Sequence, residues 1–234
     1  HRSSGVFDDS RDTSFLRGRT DSVAWQAAAL CGVPEGCTTV HARPLSQHGV
    51  LEVFVSTPDR DGLFAAIVAT LDRLGLAIQQ ARLLDGAHGT VVDTFEVLPA
   101  EGHVAPTPDL VEQALRVALS APDLDAIRPV RRAQPRHLRH FRIAPQVGFG
   151  ESADGRRTLL SLVSTDRPGL LADVTRLLRT QRLRVHDARI ATFGERAEDV
   201  FQITDERDLP LADPDQQQAL RDALLACLDG DSPR

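Results

Sequence analysis

The chain has 234 residues, 41% hydrophobic and 26% charged, a globular composition with room for one large domain or two of roughly 100 residues each. Its net charge of −6 sets 27 basic residues, every one an arginine, against 33 acidic ones, which disfavours a nucleic acid or an anionic membrane as partner. No apolar run approaches the roughly 20 residues of a membrane helix, and no basic-then-apolar leader opens the chain, so a cytoplasmic location is expected.

Residues 1–36 read as an extension or the end of an upstream domain. Within them 22–31 is a short predicted helix, capped by Thr20 or Asp21. Methionine is absent, which is expected of a piece of a longer protein. Cys31, Cys37 and Cys227 form no CxxC pattern and are odd in number, so they are expected as small buried thiols in a reducing compartment.

From residue 37 onward the chain repeats itself. A strand over 38–45 turns at Ser46-Gln47-His48-Gly49 into an apolar strand over 51–56. That strand enters the turn Asp59-Arg60-Asp61-Gly62-Leu63. A helix follows with Leu63, Phe64, Ile67, Val68, Leu71 and Leu74 on one face. Strands over 78–84 and 90–98, joined through Gly86 and Gly89, come next, and a helix near 108–120 closes the unit. After an Arg/Pro/His-rich linker over 128–145 the same order returns. Strands at 146–149 and 159–164 flank a turn containing Asp154-Gly155, and Asp166-Arg167-Pro168-Gly169-Leu170 follows. A helix then carries Leu170, Leu171, Val174, Leu177 and Leu178, before strands at 185–192 and 197–205, with Gly194 between them, and a helix at 213–228.

Asp59 and Asp166 are 107 residues apart, and the Val-Ser-Thr triplets ahead of them align if Pro58 is an extra residue of the first copy. The expected fold is therefore α+β: two ferredoxin-like sandwiches, each a permuted ββαββα unit, over 37–127 and 146–230, preceded by the short helix. Arg82 with Asp93 and Arg189 with Asp199 recur on neighbouring strands and are expected as cross-strand ion pairs.

The repeated Asp-Arg-x-Gly-Leu turn is the candidate site. It leads a strand into a helix N-terminus, where unpaired N–H groups and the helix dipole favour an anion. Gly62 and Gly169 allow close approach of a ligand. Asp59 and Asp166 can cap the helix, and Pro168 suits its first turn. A tight capped turn without a ligand is the other reading of the same residues.

The strand–helix–strand–strand–helix order with Asp166-Arg167-Pro168-Gly169-Leu170-Leu171 at the first turn of the second copy, and Asp59-Arg60-Asp61-Gly62-Leu63-Phe64 in the first, resembles the ACT domain, a regulatory module that binds amino acids. Several segments also resemble the C-terminal part of the bacterial bifunctional uridylyltransferase/uridylyl-removing enzymes: Arg19-Thr20-Asp21-Ser22-Val23-Ala24-Trp25, Pro135-Arg136-His137-Leu138-Arg139-His140-Phe141 and Gly194-Glu195-Arg196-Ala197-Glu198-Asp199-Val200-Phe201. The resemblance runs over about residues 14–228. It implies glutamine sensing in nitrogen regulation, with the nitrogen regulatory protein PII as partner of the parent enzyme and Mg and UTP as its requirements. It implies effector residues Asp59, Asp61, Gly62, Leu63 and Phe64 in one turn, and Asp166, Pro168, Gly169, Leu170 and Leu171 in the other. The effector carboxylate would take the N–H groups of Gly62-Leu63 or Gly169-Leu170, and an aspartate its ammonium. Asp61 stands where the pattern has proline, which makes the second turn the better expected carboxylate binder. Gln80, His186 and Asp187 are candidates to line the site, and the units are expected to pair within or between chains.

No catalytic constellation and no metal site is read in the chain. The family's Gly-Ser/Asp-x-Asp transferase signature is missing, and His186-Asp187 aligns with Gln79-Gln80 on a strand, unlike a hydrolase doublet on a helix. His137 and His140 read as solvated linker. With 4% aromatics an RNA-binding sheet is not indicated. A ligand-independent structural or oligomerisation module and a free-standing ACT-repeat regulator remain the alternatives.

Overall fold

The computed structural model describes residues 21–34, 36–45, 49–100, 102–128, 143–167, 169–193 and 195–229. The Thr20 cap, the turn residues Ser46–His48, Pro168, Gly194 and the linker residues 129–142, with His137 and His140, lie outside the described residues.

Helix α1 covers residues 21–30. The first copy then runs β1 (Thr39–Pro44), β2 (Leu51–Pro58), α2 (Leu63–Arg73), β3 (Leu76–Asp85), β4 (Thr90–Pro99) and α3 (Pro108–Leu119). The second runs β5 (Gln146–Glu151), β6 (Thr158–Thr165), α4 (Leu170–Thr180), β7 (Arg184–Phe193), β8 (Arg196–Thr204) and α5 (Pro214–Leu228). Each is the expected ββαββα unit. The two closing helices start alike, with Pro at the first position, where its missing N–H costs nothing. A side-chain oxygen of Thr107 or Asp213 accepts from the first turn.

The two units join edge to edge within the chain. All eight strands form one antiparallel sheet in the order β1-β2-β4-β3-β7-β8-β6-β5. The seam is β3 against β7, with Gln80 opposite Arg189, Ala81 opposite Ala188 and Arg82 opposite Asp187. Ala81 and Ala188 occupy equivalent places in the repeat, so a pseudo-two-fold axis passes between them. Both are fully buried, and their small side chains let the copies share one apolar core. That core lies between the sheet and helices α2–α5, built on Val53, Val55, Ile67, Leu71, Phe95 and Leu115 in one copy. Leu160, Leu162, Val174, Leu178, Phe201 and Leu224 fill it in the other.

Strand pairing corrects two expectations. Val55 lies opposite Asp93, whereas the residue opposite Asp199 is Leu162. From β2 through the turn to β3 the copies therefore superpose without a gap, and the identical Val-Ser-Thr triplets are one residue out of phase. A one-residue shift moves a strand residue to the other face, so Val55 enters the core while Val163 does not. The same parity separates the expected ion pairs. Arg82 is opposite Thr94 and Arg189 opposite Val200, so Asp93 and Asp199 sit opposite Leu83 and Ile190 on the core side.

The face of the first copy away from α2 and α3 is covered by α1. Trp25 packs edge-on against Phe54 with ring centroids 6.1 Å apart, and Gln26 Nε2 donates to Thr94 Oγ1 at 3.0 Å. Arg43 stacks on Trp25 at 4.3 Å and pairs with the buried Glu52 at 2.6 Å. The equivalent of Phe54 in the second copy is Ser161, which is exposed. The cysteines are a correction as well. Cys31 and Cys37 are exposed and Cys227 half-buried, because the first two lie beyond α1, outside either core. Among the described residues no helix is long and apolar enough to cross a membrane.

Candidate functional site

Both turns have the same backbone. Gly62 (φ 81, ψ 3) and Gly169 (φ 78, ψ 1) are left-handed residues at the N-caps of α2 and α4, a conformation that strains any side chain bearing a Cβ. Glycine therefore sits there for geometry first. The N-cap positions belong to these glycines, so Asp59 and Asp166 are not the N-cap residues. Their own N–H groups instead bond the carbonyls of Gly89 and Glu195 in the facing hairpins, at 2.9 and 2.8 Å. The N–H groups of Leu63 and Leu170 are also committed, each donating at 3.1 Å to the carbonyl of Arg60 or Arg167. Those two donors do not wait for a carboxylate.

The arginine of each motif is a clamp. Arg60 donates to the carbonyls of Leu119, Ala121 and Pro122 at the end of α3. Arg167 bonds the Cys227 carbonyl near the end of α5 at 3.2 Å and Asp173 at 2.7 Å. A cation on the last carbonyls of a helix satisfies orphan acceptors and complements the dipole. The motif thus ties each turn to its closing helix.

A pocket of about 220 Å³ opens at the first turn, at the junction of the copies. The turn supplies Asp59, Arg60, Asp61, Gly62, Leu63, Phe64 and Ala65, and Leu83, Val91 and Asp93 come from β3 and β4. The second copy supplies Thr175, Arg179, Leu183, Arg184, Val185 and His186. The floor is apolar, while Asp59, Asp61 and the 2% exposed Asp93 bring acid and Arg179 and Arg184 bring base. One pocket so offers both charges an amino acid carries.

Of the expected lining residues, His186 is in the pocket, its Nε2 2.8 Å from Thr204 Oγ1. It sits at a β-bulge in β7 matched by one at Gln79 in β3. Bulges re-aim side chains, and here one turns His186 toward the first turn. Gln80 and Asp187 lie at the seam, opposite Arg189 and Arg82, and are not among the lining residues. Arg179, Arg184 and Asp93 escaped sequence reasoning. Asp93 recurs as Asp199, a signal that was there to be used. Arg179 corresponds to Asp72 in the first copy, so comparing the copies conceals it.

The second turn has the opposite electrostatics. Burial raises the Asp166 carboxyl above its ordinary range, and Asp72 adds to the rise. Asp199, 4% exposed, is pushed up to about 7 by burial and by Asp166, and its Oδ1 has no hydrogen-bond partner. Asp166 thus feels the charges of Asp72 and Asp199, with Arg167 opposing the rise at Asp166.

The chain is 61% identical over 219 residues to the bifunctional uridylyltransferase/uridylyl-removing enzyme of Xanthomonas axonopodis pv. citri, covering 93% of this chain and 25% of that enzyme. It is homologous to a quarter of that enzyme. The enzyme of the same name from Pseudomonas aeruginosa is 37% identical over 231 residues, 95% of this chain and 26% of that one. The chain thus spans about a quarter of the length of these curated relatives. No family model matches it. Among solved structures, aspartate kinase from Synechocystis is similar at 16% identity and a TM-score of 0.40, over 77% of this chain and 27% of that one. The regulatory subunit of aspartate kinase from Thermus thermophilus is similar at 14% identity and a TM-score of 0.23, over 84% and 98%. Both likenesses are too slight to bear on function.

Among the described residues no group of three or more His, Cys, Asp or Glu side chains is placed to hold a metal ion. They do not fit the Mg that the resemblance implies for the parent enzyme, and no catalytic step is drawn through them.

Proposed function

We propose that this chain is an amino-acid-sensing regulatory region of a bifunctional uridylyltransferase/uridylyl-removing enzyme, with glutamine as effector and PII as the parent enzyme's protein substrate. The observation that carries the reading is the first-turn pocket. It sets a buried aspartate and arginines from the other copy around a helix N-terminus, in a chain homologous to that enzyme. Glutamine would place its ammonium toward Asp93 and Asp59 and its carboxylate toward the arginine side. Because both copies line the pocket, a bound effector bears on the seam between them, and regulation follows only if it binds one arrangement of the copies better than another.

Calorimetric titration of the chain with glutamine, and with the other amino acids as a panel, tests the reading. A saturable heat with glutamine and little with the rest is expected. Absence of heat at millimolar concentration with every amino acid would rule the reading out. The β3–β7 seam, which joins the copies within one chain, favours a second reading as a ligand-independent structural pair. Under it, melting temperatures stay the same across the panel, whereas a ligand that binds only the folded state raises them.

A further inference from the structure

Three arginines of the first-turn pocket bear on how a carboxylate would be held. Arg60 is committed to the three carbonyls at the end of α3, and Arg184 donates twice to Asp208, at 2.9 and 3.0 Å. Arg179 is held differently. Its guanidinium grips Asp125 with both arms, Nη2 donating to Oδ2 at 2.8 Å and Nη1 to Oδ1. Asp125 belongs to the 3₁₀ turn Leu124–Ala126 at the end of the first copy. The pair therefore crosses from one copy to the other.

Its position identifies it. A Cβ built on Gly62 would come within 2.7 Å of Arg179 Nη1 and 3.2 Å of Asp125 Oδ1. The Asp125 carboxylate thus lies against the N-terminus of α2, where an effector's carboxylate is expected, and a two-armed arginine is the group best shaped to hold one. Both side chains are well exposed, 36% for Arg179 and 48% for Asp125, and pairs of that kind hold weakly and exchange readily. The second turn has no counterpart, since Asp72 stands in place of Arg179.

We propose that Arg179 is the receptor for the effector's carboxylate in the first-turn pocket, and that Asp125 occupies it as an internal stand-in until the effector displaces it. This rests on the amino-acid-binding reading. It restricts the effector to compounds with a free carboxylate. It also supplies a mechanical consequence, because displacement frees the 3₁₀ turn that leads from the first copy toward residues 129–142.

The test is calorimetric, on the whole chain, with glutamine and with glutaminamide, which lacks the α-carboxylate. Asp125→Asn removes the competitor and is expected to tighten glutamine about fivefold, while Arg179→Gln is expected to weaken it at least about tenfold. Neither change should alter the weak binding of glutaminamide, a result that a merely structural role for the pair would not produce. Circular dichroism checks that both variants fold, as their exposure leads one to expect. Glutamine binding to Asp125→Asn where the wild type shows none also supports the proposal. Equal glutamine affinity in all three proteins overturns it and leaves the amino-acid reading standing. Absence of binding of any amino acid to wild type and Asp125→Asn alike overturns both.

Discussion

The two copies share a backbone and differ in what surrounds it. At both turns a left-handed glycine starts an eleven-residue helix, the preceding aspartate N–H bonds a hairpin carbonyl, and the arginine reaches the closing helix. The side chains contributed by the opposite copy then part company. Arg179 faces the first turn and Asp72 the second, so one turn sits in a mixed-charge pocket and the other among carboxyls. The outer faces diverge as well, Phe54 under Trp25 in the first copy against the exposed Ser161 in the second. Duplication preserved what the backbone needs and released what it does not. The shared motif is thus chiefly a folding device, and any ligand specificity lies in the residues that differ.

The comparison can be broken first at the shared core. Phe95→Ala and Phe201→Ala remove fully buried rings from equivalent places and should each cost about 3–5 kcal/mol. Because the copies share one core across the seam, calorimetry should show one transition moving down in either variant. Two separated transitions would mean that the copies melt independently.

Trp25→Ala sharpens the difference between the outer faces. It should cost about 2 kcal/mol through lost burial and the lost Phe54 contact. Hydrogen exchange should quicken in β1, β2 and β4 and stay unchanged in β5, β6 and β8. Equal quickening in both halves would show that α1 supports the whole sheet.

Asp199 offers a pH test of the acidic turn. Its carboxyl is raised from 3.8 to about 7 in the folded protein. Between these values the native state holds a proton that the unfolded chain has lost, so the stability contributed by this group is present at low pH and disappears as pH rises through 7. Asp199→Asn should therefore gain on the order of 1 kcal/mol over the wild type at pH 8, a rise of ~2–4 °C in melting temperature, and almost nothing at pH 4. A gain independent of pH would remove the raised carboxyl from the account.

The smallest expected effect is that of Arg179→Gln on stability, within about 0.5 kcal/mol by denaturant titration, since the pair it breaks is exposed. A loss beyond 1 kcal/mol would make Arg179 a structural residue.

Much of the fold was legible because it is written in local chemistry. Apolar residues at helical spacing, glycines at the turns and Pro after Thr107 or Asp213 act within a few residues of themselves, so the ββαββα order could be read from them. The two turns were legible for the same reason, since a left-handed position accepts little besides glycine. The phase of the Val-Ser-Thr triplets was not legible, because identical letters say nothing about which face a strand residue takes until a partner strand sets the register. The misplaced Arg82–Asp93 pair follows from the same cause.

The sequence by itself determined two copies of one unit, the turn that starts each first helix, and the helix that precedes them. Only the tertiary structure decided that β3 and β7 join the copies into one sheet, that residues of both copies line a pocket at the first turn, and that Arg179 and Asp125 meet beside Gly62. Glycine geometry and helix periodicity are properties of short stretches. A pocket assembled from residues more than a hundred positions apart depends on how two surfaces dock, and here that docking rests on a pair of alanines whose letters carry no hint of it.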